Sequence, residues 1–231
     1  MATLNNFDLR YEFYPTAGQL LSVGAFYKTI DKPIEFSIDI AQPFTTFTYE
    51  NEKAARIAGV ELEIKKNLDF ISKASFFSKT SVFANLSLMQ SALTFQEGSF
   101  AKQDRSLQGQ SPYIANVGLI YDGGESGWFG SAVFNRVGRR IAYAGVDAKN
   151  GATRQDIYEA PRSVIDLQVG KNIGKLNVKL TVGDLLRSDL TFYQDGDNSG
   201  KYNVSTGQFA DRLMFKYNNG YTFNFSLGYT F

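Results

Sequence analysis

The chain has no cysteine and no histidine among its 231 residues, and only one tryptophan, three methionines and five prolines. Without cysteine there is no disulfide framework, no thiolate metal site and no thiol nucleophile. Without histidine the usual general base and the commonest metal ligand are missing, which removes most hydrolase and metalloenzyme mechanisms. An excess of either charge is lacking too: 24 Lys+Arg stand against 23 Asp+Glu, a formal net charge of +1. A nucleic-acid binder would carry a basic excess arranged as a stripe, so no nucleic-acid partner is expected. No stretch nears the roughly 18 consecutive apolar residues of a transmembrane helix. The opening MATLNNFDLRYEF has no basic region leading into an apolar run, so no secretory signal is expected there.

What the chain does have is 20 Phe, 13 Tyr and 21 Gly, in a composition only 43% hydrophobic. Rich in aromatics and glycine yet polar on average, it reads as many strands showing one face to something apolar. The clearest is the last. From Tyr221 to Phe231, Tyr221, Phe223, Phe225, Leu227, Tyr229 and Phe231 alternate with Thr222, Asn224, Ser226, Gly228 and Thr230. Period 2 marks a strand with one apolar and one polar face, and about 10 residues is what a tilted membrane strand needs.

The same pattern runs through Phe7, Leu9, Tyr11 and Phe13, through Val60, Leu62 and Ile64, through Ile165, Leu167 and Val169, and through Leu176, Val178, Leu180 and Val182. Weaker versions cover 19–30, 74–93, 113–121 and 128–141, giving about nine strands. Helical periodicity is poor throughout. The fold class is all-β.

Connections alternate in length. Short ones fall at 15–18, 66–73, 122–127 and 172–174, where Pro15, Gly18, Gly123, Gly124 and Gly174 supply turn geometry. Long polar ones fall at about 31–55, 94–107, 142–156 and 194–209. Short turns on one side and long loops on the other are the habit of outer-membrane barrels. With nine strands the first and last run the same way, and an antiparallel barrel cannot close on them. Open edges in lipid leave backbone groups unpaired at several kcal/mol each. The chain is therefore expected to be part of a larger barrel.

Five stretches carry a resemblance to a known family: NFDLRYEFYPTAGQLLSVGAFYKTIDKPIE (6–35), GVELEIKKNLDFI (59–71), RSLQGQSPYIANVGLIYD (105–122), IYEAPRSVIDLQVGKNI (157–173) and YTFNFSLGYTF (221–231). Together and in this order they resemble the C-terminal barrel part of TonB-dependent outer-membrane receptors. The nearest branch is the one often carrying a carboxypeptidase-regulatory-like domain at its N-terminus. The resemblance implies that residues 1–231 are the C-terminal portion of an antiparallel, up-and-down transmembrane barrel of about 22 strands. The plug domain, TonB box and N-terminal strands would then lie outside the chain. It also implies the bacterial cell outer membrane as the location, and ligand capture with TonB-energised uptake as the function. The implied partners are outer-membrane lipid, the remaining strands and plug of the same receptor, TonB through that missing part, and the barrel-assembly machinery. For that machinery the series Phe223, Phe225, Leu227, Tyr229 and Phe231 resembles the assembly signal.

Ligand contacts are expected on the long loops: Phe44, Phe47 and Tyr49 in the first, Arg105 in the second, Tyr143 and Arg154 in the third, Tyr193 and Tyr202 in the last. Loops on a rigid scaffold are where binding residues concentrate. Glu61, Glu63, Lys65, Asp166, Gln168, Asn177, Lys179 and Asn224 would line a wet lumen, where a plug would meet them. Tyr11, Phe13, Tyr27, Tyr121, Trp128 and Tyr229 are expected as an interfacial girdle at the short-turn side.

Asp195, Asp197, Ser199 and Gly200 imitate the start of a calcium loop, but Thr206 stands where its bidentate Glu would be, so a solvated turn is the expectation. The Arg139–Arg140 pair, at the root of an outer loop, suits contact with a ligand or lipopolysaccharide. No Walker, Rossmann or GxSxG pattern is present, and Asn116, Asn135 and these arginines have no triad partner. No enzyme activity, cofactor or resident metal is expected. A structural or adhesive barrel without transport, and a soluble β-sandwich binding module, remain as alternatives.

Overall fold

Alternation becomes strand because a pleated backbone sends successive side chains to opposite faces. A computed structural model describes residues 1–39, 46–96, 105–147, 153–203 and 210–231. Within them, in chain order, lie β1 (Thr3–Phe13), β2 (Leu20–Asp31), β3 (Ile34–Asp39), β4 (Thr46–Asn51), β5 (Ala54–Asn67) and β6 (Thr80–Thr94). Next come β7 (Tyr113–Asp122), β8 (Trp128–Val137), β9 (Arg140–Tyr143), β10 (Val146–Asp147), β11 (Thr153–Arg154) and β12 (Ile157–Glu159). The last are β13 (Arg162–Ile173), β14 (Leu176–Gly183), β15 (Leu190–Gln194), β16 (Arg212–Tyr217) and β17 (Thr222–Tyr229).

Nine of these form one wall, in the order β1-β2-β5-β6-β7-β8-β13-β14-β17. Every neighbouring pair is antiparallel. The skipped strands belong to the long connections, which all leave from one side. The short connections leave from the other; the tightest is Gly174–Lys175 between the paired Ile173 and Leu176, with Gly174 at φ +59°. Only a residue without Cβ takes that backbone cheaply.

Register keeps the two faces aligned across the wall. One apolar rung runs Leu9–Ala25–Val60–Leu88–Tyr113, another Leu119–Ala132–Leu167–Val182–Phe223. The opposite face carries Glu12–Ser22–Glu63–Asn85–Asn116–Asn135 and Gln168–Thr181–Asn224. Its groups answer one another: Asn135 Nδ2 donates to Asn116 Oδ1 (2.5 Å), Asn116 Nδ2 to Asn85 Oδ1 (2.6 Å), and Arg10 to both Glu12 and Glu63 (2.6 and 2.8 Å). Glycines on this face are packing sites. A Cβ on Gly118 would collide with the Phe83 ring of the next strand, and one on Gly170 with Phe129.

The apolar face is open: Leu9 is 79% exposed and Phe223 72%, with Phe7, Phe225 and Leu227 close behind. A sandwich would cover that face with a second sheet, and among the described residues none does. The buried apolar residues sit elsewhere: Ile141, Phe192 and Tyr193 in a sheet ordered β16-β15-β12-β9, Ala144 just after β9, and Ala55 and Leu93 at the loop-side ends of β5 and β6. This small sheet lies between β8 and β13 and between β14 and β17; its first strand overlaps the end of the expected 128–141 strand, and the other three fall mostly outside both the expected strands and the expected loops 142–156 and 194–209.

Three boundaries differ from the sequence expectation. The 74–93 strand starts at Thr80, because Ser75–Ser78 forms a helical turn tied by Thr80 Oγ1 to Phe76 O and stacked through Phe76 on Tyr121. The 128–141 strand leaves the wall after Val137, where Gly138 N bonds Tyr113 O and Arg140 begins β9 in the other sheet. Tyr27 pairs with Phe7 and Ala58 toward the long-loop end, whereas Phe13, Tyr121, Trp128 and Tyr229 lie at the short-turn end. Its alternation is right, but the strand runs four residues past it to Asp31, which lifts it away from the girdle.

Candidate functional site

The long connections meet above one rim of the wall. The first folds as the β3–β4 hairpin, with Phe36 opposite Tyr49. From the second, Arg105 and Gln108 reach into it. Arg105 pairs with Glu35 at 5% exposure for both side chains, and Gln108 N donates to Glu35 Oε1 (3.1 Å). The Gln108 side chain then bridges, accepting from Phe36 N (3.1 Å) and donating to Ala142 O in the third connection (2.8 Å). Three loops are thus held by one carboxylate and one amide. Buried charge of this kind is tolerated only when paired and hydrogen-bonded.

The third and fourth connections are joined by β12–β15 pairing and by Arg139, which bonds Asp195 (2.5 Å) and lies 4.1 Å over the Tyr158 ring. Arg140 pairs with Glu159 at 2.7 Å. The Tyr158 hydroxyl donates to Asp156 (3.1 Å). Burial first, and then the Asp156 charge, push the Tyr158 phenol up to about 12, so it stays neutral. Tyr193 is likewise raised by burial. Its hydroxyl makes no well-formed hydrogen bond, although the Arg139 guanidinium lies beside it.

The expected ligand residues fall into two groups. Tyr49 packs on Phe36 (5.4 Å), Phe36 on Tyr143 (6.1 Å), and Tyr143 on Phe215 (6.3 Å), a row of rings crossing the first, third and fourth loops. Tyr49 is exposed and Tyr143 half-buried. Tyr193 and Tyr202 form the second group, 5.0 Å apart, with Tyr193 fully buried. Arg105 is enclosed in its ion pair. Phe47 stands opposite Ile38 in β4 and Arg154 opposite Val146 in β11, while Phe44 lies outside the described residues.

Glu35, Gln108, Gln110, Asp156 and Tyr158 escape the sequence reading. Gln108, Gln110 and Asp156 lie in irregular backbone and Tyr158 in a three-residue strand, while Glu35 belongs to the alternating IEFSID of β3, inside the stretch 31–55 expected as a loop.

Asp195 and Asp197 come together with Asp211, their carboxylates within 4.8 Å. Asp195 takes Arg139, Ser199 N and Gly200 N, and Asp211 takes Gly196 N and Asn203 N. These bonds make the acids loop ties, and Thr206 lies outside the described residues.

Solved structures resemble the whole chain. The copper transporter OprC aligns with 100% of it and 31% of its own length, at 17% identity and a TM-score of 0.63. The ferric-catecholate import receptor Fiu from K12 E. coli gives 100%, 28%, 15% and 0.60. The ferric enterobactin receptor PfeA from Pseudomonas aeruginosa gives 100%, 32%, 15% and 0.58. The chain thus spans about a third of the length of these structures, and identity this low speaks for the fold alone. None of the curated proteins matches it. Residues 2–231 match the family described as TonB dependent receptor-like, beta-barrel. With its antiparallel wall, two-faced register and one-sided long loops, the chain belongs to the β-barrel family of TonB-dependent receptors.

Proposed function

We propose that this chain is the C-terminal wall and ligand-capturing loops of a bacterial outer-membrane receptor whose uptake is energised by TonB. The observation that carries the reading is the register-aligned apolar face, Leu9 to Tyr113 and Leu119 to Phe223, left open across nine strands. Such a surface is tolerable in lipid and an aggregation hazard in water. Strands β1 and β17 run the same way, and each has one unpaired edge among the described residues. That fits a wall completed by further strands of the same receptor, an odd number of them. The polar face would meet a plug, through Arg10, Glu61, Glu63, Asn116 and Asn135. Phe223, Phe225, Leu227, Tyr229 and Phe231 line one edge strand with exposed side chains, as a signal to the barrel-assembly machinery would require.

The loop cluster supplies the ligand contacts. Tyr49 and Tyr143 present rings in one row, and Phe44, Phe47, Arg105, Arg154, Tyr193 and Tyr202 lie on the same four loops. Among the described residues the loop cluster is made of paired ions and packed rings, which supports ligand capture for transport.

The test is fractionation and uptake in cells carrying the complete receptor. Heat-modifiable protein in the outer membrane, and loss of ligand accumulation when TonB is removed, are the expected results. Accumulation or adhesion indifferent to TonB would favour a structural barrel; recovery in the soluble fraction would sink the membrane reading.

A further inference from the structure

Resting on that receptor reading, we infer that Arg56 and Arg136, on the outward face of the wall near its long-loop rim, hold phosphate groups of an outer-leaflet lipid. Arg56 alternates in β5 with Ala58, Val60, Leu62 and Ile64, and Arg136 in β8 with Phe134 and Ala132. Both therefore stand on the apolar face and not toward the lumen, and both are exposed. Counted from the short turns, Arg136 is the ninth residue of β8, and Arg56 lies eleven residues beyond Asn67 in β5. A tilted strand crosses the hydrocarbon in about 9–11 residues. The two guanidinium groups come where hydrocarbon gives way to headgroups.

Their missing counter-charge is what points to a ligand. Arg10, Arg105, Arg139, Arg140 and Arg162 each hold a carboxylate. The Arg139–Arg140 pair at the loop root is thus already engaged, with Asp195 and Glu159. Among the described residues the Arg56 side chain has no ion pair or hydrogen bond. Arg136 is held by two neutral hydroxyls, its Nε donating to the Tyr113 hydroxyl (3.1 Å) and its Nη1 to Ser163 Oγ (2.8 Å). Those bonds fix the fork across three strands without neutralising it. In the nine wall strands one carboxylate faces outward, Asp31 at the end of β2 opposite Ala54, and it pairs with neither arginine. The lysines of this face sit at the opposite rim, Lys171 over the Trp128 ring and Lys66 over Phe70.

An arginine near the membrane boundary costs little, and what it meets there is lipid phosphate. The guanidinium fork matches phosphate oxygens two at a time. With β6 and β7 between them, the arginines are about 14 Å apart sideways at the usual strand spacing, so each takes its own phosphate. Beside Arg56 a depression of ≈ 300 Å³, lined also by Tyr27 and Gln90, receives the polar part of a headgroup. Toward the short turns the same face continues as exposed Val60, Leu62, Leu88 and Val117, along which acyl chains would lie. Charge at the rim and apolar surface below it describe one amphipathic occupant, an anionic lipid.

The test uses the complete receptor carrying this chain, purified in detergent and freed of lipid. Native mass spectrometry measures the retention of lipid A bearing two, one or no phosphates, of phosphatidylcholine, and of inorganic phosphate. Lipid A with two phosphates should be held best and the phosphate-free form least, and excess inorganic phosphate should not displace the lipid. Arg56→Gln and Arg136→Gln should each weaken the phosphorylated lipid about fivefold, the usual worth of one arginine at an anionic membrane surface. Lys171→Gln, at the other rim, should not. Heat-modifiable mobility checks that each variant is folded, and either arginine variant suffices if the other fails. Equal retention of all lipids, full displacement by inorganic phosphate, or retention unchanged in both folded arginine variants overturns the inference. A folded barrel with TonB-dependent uptake that shows any of these would sink the lipid site and leave the receptor reading standing.

Discussion

Glu35 and Arg105 lie 70 residues apart in the chain and close on each other as an ion pair buried between two loops. The wall gains nothing directly from this pair, since neither residue is in it. Its effect is on the loops: Glu35 also receives Gln108 N, and Gln108 reaches both Phe36 and Ala142. Removing one partner strands the other charge. Glu35→Gln should therefore loosen the loop cluster by about 3–5 kcal/mol, the cost of leaving a buried charge unpaired. The joint replacement Glu35→Leu with Arg105→Met should recover much of that. Amide hydrogen exchange and trypsin cleavage in residues 32–39 and 105–112 read the effect, while heat-modifiable mobility of the wall should not change. Loops as protected in Glu35→Gln as in the parent would show that the pair is no clamp.

A second expectation uses the register of β13 and β14. Leu167 lies opposite Val182 and Leu180 opposite Val169 on the apolar face, whereas Gln168 and Thr181 lie opposite each other on the polar face. Leu167→Arg or Leu180→Arg should destabilise the barrel by about 2–4 kcal/mol if the site is near the bilayer midplane. Gln168→Arg or Thr181→Arg should cost far less, because a wet lumen solvates the guanidinium. Urea unfolding in lipid vesicles compares the four. Equal costs on both faces would replace the bilayer with some other environment.

The wall was legible because its clearest strands, such as β1, β5 and β17, are long and alternate over about eight residues, which fixes both existence and facing. The loop sheet was not, for a physical reason. Strand β12 has three residues, and its partner Tyr193 stands 35 positions away from Tyr158. Register shifts at Ile157/Tyr158 and Phe192/Tyr193 break the period in the very strands that would reveal it. Choosing Tyr193 as a ligand contact from its aromatic ring alone could not foresee that, among the described residues, the ring is the one large side chain buried completely. At Asp195 and Asp197 the expected turn is present, held by Ser199 N and Gly200 N, but Asp195 is buried against Arg139 instead of solvated.

Tyrosine ionisation offers a third measurement. Tyr158 is raised to about 12 and Tyr193 is raised as well, burial being the first cause in both. A raised phenol is protonated in folded and unfolded chains alike below pH 10, so its contribution to stability is intact there. As pH climbs from about 10 to 12, the unfolded chain loses its proton first and the fold loses that contribution. In a spectrophotometric titration of the folded receptor, these two tyrosines should ionise later than an ordinary phenol. Tyr158→Phe should remove one late-titrating group and soften the alkaline fall in loop stability. A titration with no late component would contradict the enclosed positions of Tyr158 and Tyr193.

The last prediction concerns the two edges. Among the described residues β1 bonds only β2 and β17 only β14, and the even number of antiparallel steps between them leaves both running the same way. They cannot close on each other as antiparallel neighbours. Nor can a second copy inserted with the same orientation help, because β17 of one copy would again meet β1 of the next in parallel. Open edges are costly in lipid and invite pairing between molecules in water. Expressed alone, the 231-residue chain should collect in inclusion bodies, or refold in detergent as protease-sensitive oligomers without heat-modifiable mobility. If the chain is part of a larger receptor, as proposed, expressing it within that receptor should restore all three properties. A monodisperse, trypsin-resistant monomer of the isolated chain, with a stable single-channel conductance in a planar bilayer, would mean that nine strands close by a route this register does not allow.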